Sequence, residues 1–197
     1  MTAADLFLNY LSRSSMITIA VLLWLSLYFL ITFWVVIYRY LYLNSLIRKE
    51  ESSLEAILMG TNTVRADSIL RKCTNQYNDS MAIFDVCTNV AEKNATTYLS
   101  TLSVISSTSP FIGLFGTVVG ILETFSKLSG ATSASLNIIA PAISEALVAT
   151  AGGILVAIPA YSGYIFLKRK AYDYLSVVDR EKTLLLSINL QSKNKEA

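Results

Sequence analysis

Glu145 stands alone as a charged residue in the apolar run NIIAPAISEALVATAGGILVAIPAYSGYIFL, Asn137 to Leu167. In a helix crossing lipid, a charge at the bilayer centre costs roughly 2.5–3.5 kcal/mol, so an ionised Glu145 needs water, a partner or a proton. An intramembrane carboxylate of this kind is a functional candidate by default. Thr150 lies one to two turns away, on a ridge of small residues with Ala142, Ala146, Ala149, Gly153, Ala157 and Ala160. A second run, Leu99 to Phe125, repeats the design. Its residues Ser103, Ser106, Ser107, Pro110, Gly113, Thr117, Gly120 and Thr124 follow steps of three and four, which puts small and hydroxylated groups on one helical face. Such a face either admits another helix at close range or lines a wet path. Thr117, between Gly116 and Gly120, is where a hydroxyl could meet water or an ion. Pro110, Pro141 and Pro159 free backbone carbonyls, which is tolerated where helices pack or a cavity holds water, so the prolines point inward. Glu123, near the outer end of its run, reads as an interfacial carboxylate.

Other chemistries are poorly served. The chain has no histidine and two cysteines, Cys73 and Cys87, which removes the usual zinc, haem and Ser-His-Asp arrangements. No nucleophile–base pair, phosphate loop or metal cluster is visible, so neither an enzyme nor a cofactor or metal site is expected. If they share one helix, the two cysteines are about 21 Å apart and cannot bridge. A formal charge of +2 is too small for a nucleic-acid footprint.

The elements that position these residues follow from composition. Of 197 residues, 53% are hydrophobic and 15% charged, and the mean hydropathy is +0.51. Soluble domains carry roughly 25% charged residues, so lipid is the implied solvent. The run Met16 to Tyr38 has no charge and reaches about 35 Å as a helix, enough to cross a hydrocarbon core. It is too long for a signal-peptide core and reads as a retained span. Trp24, Trp34, Tyr38, Tyr40 and Tyr42 supply interfacial anchors. The other two runs are less apolar, as expected of helices that face other helices or water.

Basic residues set the direction. Seven lie between the first two spans, seven follow the third, and only Arg13 and Lys127 fall elsewhere. The positive-inside rule puts the middle segment and the C-terminus in the cytoplasm. The expected order is a periplasmic segment 1–15, span 16–38, cytoplasmic helical segment 39–98, span 99–125, periplasmic loop 126–138, span 139–167 and cytoplasmic helix 168–197. The two N-x-[ST] triplets, at Asn78 and Asn94, are then cytoplasmic and not glycosylated.

A stripe from Leu70 through Cys73, Tyr77, Phe84, Cys87, Ala91, Ala95 and Tyr98 to Leu102 predicts a helix that enters the second span without a break. Tyr164, Leu167, Ala171, Leu175, Val178, Leu185 and Ile188 extend the third span in the same way. Asn44 to about Met59 predicts a shorter helix, with a turn at Gly60 to Thr63. The fold class is therefore all-α and integral to the membrane, with three transmembrane helices and a cytoplasmic helix bundle built on spans two and three.

The stretches STSPFIGLFGTVVGILETF and APAISEALVATAGGILVAIPAYSGY resemble the paired signature of the TolQ/ExbB proton-channel family, which is more distantly related to flagellar MotA. The resemblance covers about a third of the chain, Ile105 to Tyr164. It implies a homopentamer around two copies of a single-span TolR/ExbD-like partner whose aspartate takes up and releases protons. It also implies a TolA/TonB-like periplasm-spanning protein that receives the work. The family's pore threonines fall on Thr117 and Thr150 and its intramembrane glutamate on Glu145, with Ser106, Ser107, Pro110, Gly113, Gly120, Pro141, Gly153 and Pro159 lining the pore or packing helices. The start MTAADLFLNYLSRSS resembles TolQ somewhat more than ExbB, which would assign the work to envelope maintenance and division. The ExbB alternative is energised outer-membrane uptake. The segment between the first two spans is shorter than in well-known relatives, and Glu123 and Gly152 are less usual. A packing scaffold without conduction and a sodium-driven stator are the competing readings.

Overall fold

Helix α1, Met16–Leu58, contains neither glycine nor proline, so nothing interrupts its hydrogen-bond ladder. The computed structural model of the chain describes residues 16–59, 68–70, 81–128 and 136–196, and among these it is all helical. The other helices are α2, Met81–Thr96, α3, Leu99–Leu128, and α4, Leu136–Glu196. Among the described residues, three stretches, one in α1, one within 82–126 and one in α4, are long and apolar enough to cross a membrane. Leu23, Leu30 and Trp34 of α1 are 65%, 65% and 75% exposed; such a surface is stable only against lipid or another apolar helix.

Two expectations are corrected. The short helix over 44–59 is the continuation of α1, because the chain offers no breaker between Tyr38 and Asn44. The second span is not entered without a break: α2 ends at Thr96, and Tyr98 adopts a left-handed φ of 65° before α3 begins. Tyr98, assigned by periodicity to the apolar stripe, is half exposed at this turn. The expected turn at 60–63 and Cys73 lie outside the described residues, as do residues 1–15.

Contacts group the chain into two units, and α1 and α4 contribute to both. In the first, the N-terminal part of α1, most of α3 and α4 up to Tyr164 enclose Val21, Leu25, Ile105, Ala149, Val156 and Ala160. Tyr28, Phe29, Ile31 and Ile112 pack against that cluster. In the second, Leu43, Ile47, Leu70, Phe84, Cys87, Ala91, Ala95, Leu167, Ala171, Tyr174 and Val178 are buried. The exposed pair Lys182–Asp85, 2.6 Å apart, links α4 to α2; exposed pairs of this kind contribute little.

Arg39 explains where α2 stops. It is 4% exposed, and its Nη2 donates to the carbonyls of Asn94 at 2.7 Å and Ala95 at 2.8 Å. Those oxygens belong to the last turn of α2, which lacks intrahelical donors and carries the negative end of the helix dipole. An Arg39→Met chain should lose about 1.5–3 kcal/mol, the worth of hydrogen bonds to a charged group. The check is the apparent melting temperature of the purified chain in detergent, which should fall by several degrees. An unchanged value would show that α2 ends without this cap.

Candidate functional site

Glycine lets α3 and α4 touch backbone to backbone. A Cβ on Gly113 would lie 2.6 Å from the Ala149 carbonyl oxygen and 3.0 Å from the Thr150 Cα. One on Gly153 would lie 2.5 Å from the Ser109 carbonyl oxygen and 3.2 Å from the Gly113 Cα. Rising positions on α3 meet falling ones on α4, so the helices run antiparallel. On the neighbouring face, Gly116 and Gly152 leave room for α1: Cβ atoms there would meet Val21, and Leu25 with Leu22. Small residues at each contact are what membrane helices use where no hydrophobic effect drives association.

Two hydroxyls are held at this crossing. Thr117 is buried and donates to the Ala146 carbonyl at 2.9 Å, with a longer contact of 3.3 Å to its own Gly113 carbonyl. Its Oγ1 also lies 2.5 Å from that of half-buried Thr150. A threonine hydroxyl has one proton to give. When Thr117 gives its proton to Ala146, Thr150 must be the donor between them, and the three groups form a directed chain across the two helices. Such a chain does not titrate; it can orient water or a visiting carboxyl at the exposed side of Thr150.

The remaining candidates divide. Gly113 and Gly153 are buried and Gly120 half-buried, and Gly120 has Ala146 and Thr18 for neighbours. Ser106 is half-buried and Ser107 exposed, each returning its hydroxyl to the Ser103 carbonyl. Pro110 and Pro159 are half-buried inside their helices. Pro141 is exposed in the single chain.

Glu145 is half-buried, and the hydrogen bonds of the two threonines do not include it. Five residues along α4 from Thr150 is about 140° round the helix. Gly152, two turns from Glu145 and nearly in line with it, faces Leu22 and Leu25 of α1. The structure thus unites Thr117 with Thr150 and sets Glu145 on a different flank of α4.

Sequence reasoning missed Ser109 and Gly116 as members of the contact face. Ser109 is fully buried, and its hydroxyl bonds the Ile105 carbonyl at 2.6 Å. The signal was present: Ile105, Ser109, Gly116 and Gly120 also fit helical steps, one stripe round from the serine-rich one.

The model of the MotA/TolQ/ExbB proton channel family matches residues 61–180, which include every candidate above. The chain belongs to that family. A Helicobacter pylori (strain J99) protein named biopolymer transport protein ExbB-like 1 is 43% identical over 185 residues, 93% of this chain and 98% of its own length. The Haemophilus influenzae Tol-Pal system protein TolQ is 47% identical over 88 residues, 43% of this chain and 39% of its own. The Pseudomonas putida biopolymer transport protein ExbB is 31% identical over 147 residues, 73% of this chain and 43% of its own. With three apolar helices of spanning length, this member of the MotA/TolQ/ExbB family is a multi-pass inner-membrane protein of a channel class rather than an enzyme class.

Proposed function

We propose that this chain forms the ring of a proton-driven inner-membrane motor and that Thr117, Thr150 and Glu145 lie on its ion path. The observation that carries the reading is the chain of hydroxyls from Thr150 through Thr117 to the Ala146 carbonyl, which joins α3 to α4 at their crossing. A packing scaffold uses the glycines and can use the Thr117–Ala146 bond across the helices, but it does not need the second hydroxyl, that of half-buried Thr150. Their use is to hold water, or the carboxyl of a TolR/ExbD-type single-span partner, against the ring wall. Glu145, on another flank of α4, then serves as a separate gate on that path. The N-terminus faces the periplasm and the C-terminus the cytoplasm, as the basic residues dictate.

Within the family, we assign the work to biopolymer transport of the ExbB kind, through a TonB-like periplasm-spanning protein. The relative matched along nearly its whole length has that name, whereas the TolQ match spans under half of this chain. The TolQ-like start, residues 1–15, lies outside the described residues. Deleting the gene should impair energised uptake and spare cell separation; leaky envelopes and chained cells would instead support a TolQ-like role.

Native mass spectrometry of the chain with and without its single-span partner tests the assembly. Five copies that capture two of the partner are expected. A monomer or dimer that ignores the partner would give the scaffold reading the lead. Glu145→Gln should leave the ring intact and depress partner-dependent proton flux in liposomes. Activity that follows a sodium gradient and ignores a protonophore would replace the proton by sodium.

A further inference from the structure

Away from the crossing, two glutamates are buried together in the second unit. Glu181 of α4 is 0% exposed and Glu50 of α1 is 2% exposed. Ser53 donates to Oε1 of Glu181 at 2.7 Å, and Ser68 donates to its Oε2 at 3.2 Å. The Ile69 N–H donates to Oε1 of Glu50 at 3.0 Å, and the Leu70 N–H to the Ser68 hydroxyl at 3.2 Å. Ser68 and Ile69, adjacent in the chain, thus hold one carboxyl each, which sets the two buried groups close together. Among the described residues neither has a cationic partner: Lys182, next along α4, is turned to Asp85 of α2. Oε2 of Glu50 and the hydroxyl of fully buried Tyr174 have no partner.

An ionised carboxylate only accepts hydrogen bonds, so a proton on one carboxyl is what would give the unpartnered Oε2 of Glu50 a bond within the pair. Two negative charges close together in a buried site are strongly disfavoured. We propose that Glu50 and Glu181 form a buried proton-binding site that holds one proton between them and clamps residues 68–70 to α1 and α4. The site is separate from the ion path, and nothing in it depends on conduction.

The groups facing the pair are few. α1 supplies Glu50, α4 supplies the phenol of Tyr174, and residues 68–70 supply a hydroxyl and amides. Burial, and then Glu50, push the Tyr174 phenol well above its ordinary range, so it remains neutral. Burial, aided by Glu50 and opposed by Ser53 and Ser68, pushes the Glu181 carboxyl up to about 7. The folded state thus holds a proton that the unfolded chain releases near about 4.3. Stability from this proton is complete below that value and is lost as pH rises to about 7. The clamp is therefore tightest in acid and weakest when both carboxyls are charged, a change that runs from about pH 4.3 to about pH 7.

Infrared difference spectroscopy of the full chain in lipid nanodiscs, titrated from about pH 5 to pH 8.5, tests the site. A protonated-carboxyl band should bleach near neutrality in the wild-type chain. It should be missing in both Glu181→Gln and Glu50→Gln, because either amide can donate to the surviving carboxylate in place of the proton. The apparent melting temperature should fall by several degrees over the same range in the wild-type chain and stay level in both variants. A band that persists in either variant, or melting curves with the wild-type slope, would overturn the shared proton. If one variant does not fold, the other decides on the same two readouts.

Discussion

Thr117→Val is expected to lower partner-dependent proton flux about ten- to a hundredfold while the ring still assembles. Valine keeps the shape of the side chain, so the packing at the Ala146 contact is retained. What disappears is the donor to the Ala146 carbonyl and the partner of the Thr150 hydroxyl. Leaving such groups unsatisfied costs about 1–3 kcal/mol, and each 1.36 kcal/mol on a barrier is about tenfold in rate. Thr117→Ser restores the hydroxyl without the methyl and should recover most of the flux. Flux measured by a pH-sensitive dye in liposomes, normalised to the ring seen by native mass spectrometry, separates conduction from assembly. If Thr117→Val and Thr150→Val both conduct as the wild type does, the hydroxyl chain is a packing detail and the ion path runs elsewhere.

Gly153→Ala should have the largest effect on folding. The added methyl meets the Ser109 carbonyl oxygen at 2.5 Å, a backbone atom that no rotamer change can move. Gly113→Ala meets the Ala149 carbonyl at 2.6 Å from the other side of the same crossing. Overpacking typically costs about 1–3 kcal/mol, and here the crossing itself must open. Each variant should therefore reach the membrane in reduced amount and melt well below the wild-type chain. Gly152→Ala is the control: its Cβ would meet only the ends of Leu25 and Leu22, at 3.6 and 3.7 Å, so its melting point should barely move. Equal behaviour of Gly152→Ala and Gly153→Ala would mean that the helices do not cross at Gly113 and Gly153.

Much of this protein is decided by the sequence alone. Uncharged runs of spanning length can be satisfied only as helices in lipid, because every backbone polar group must then bond within its own segment. Small residues at steps of three and four mark the faces that meet, which is why Gly113, Thr117, Thr150 and Gly153 were legible as a group. Periodicity has an angular resolution of about one stripe, however, and adjacent stripes on α3 fit it equally well. It therefore favoured the serines at 106 and 107 over Ser109 and Gly116, and it ran α2 into α3 through Tyr98. Only the packed chain shows that a cation from a distant part of α1, Arg39, caps α2.

The partnership of Thr117 with Thr150, and the separation of Glu145 from both, likewise depend on how two helices are rotated about their axes at contact. Backbone clearances of a few tenths of an ångström set that rotation, and no single helix encodes it. The Glu50–Glu181 pair marks the same limit. Glu181 sits three residues after Val178 and four before Leu185, a charge on an apolar stripe, and that was its one sequence signal. Its meaning depends on a second carboxylate far away along the chain, which tertiary packing alone brings within reach of the same proton.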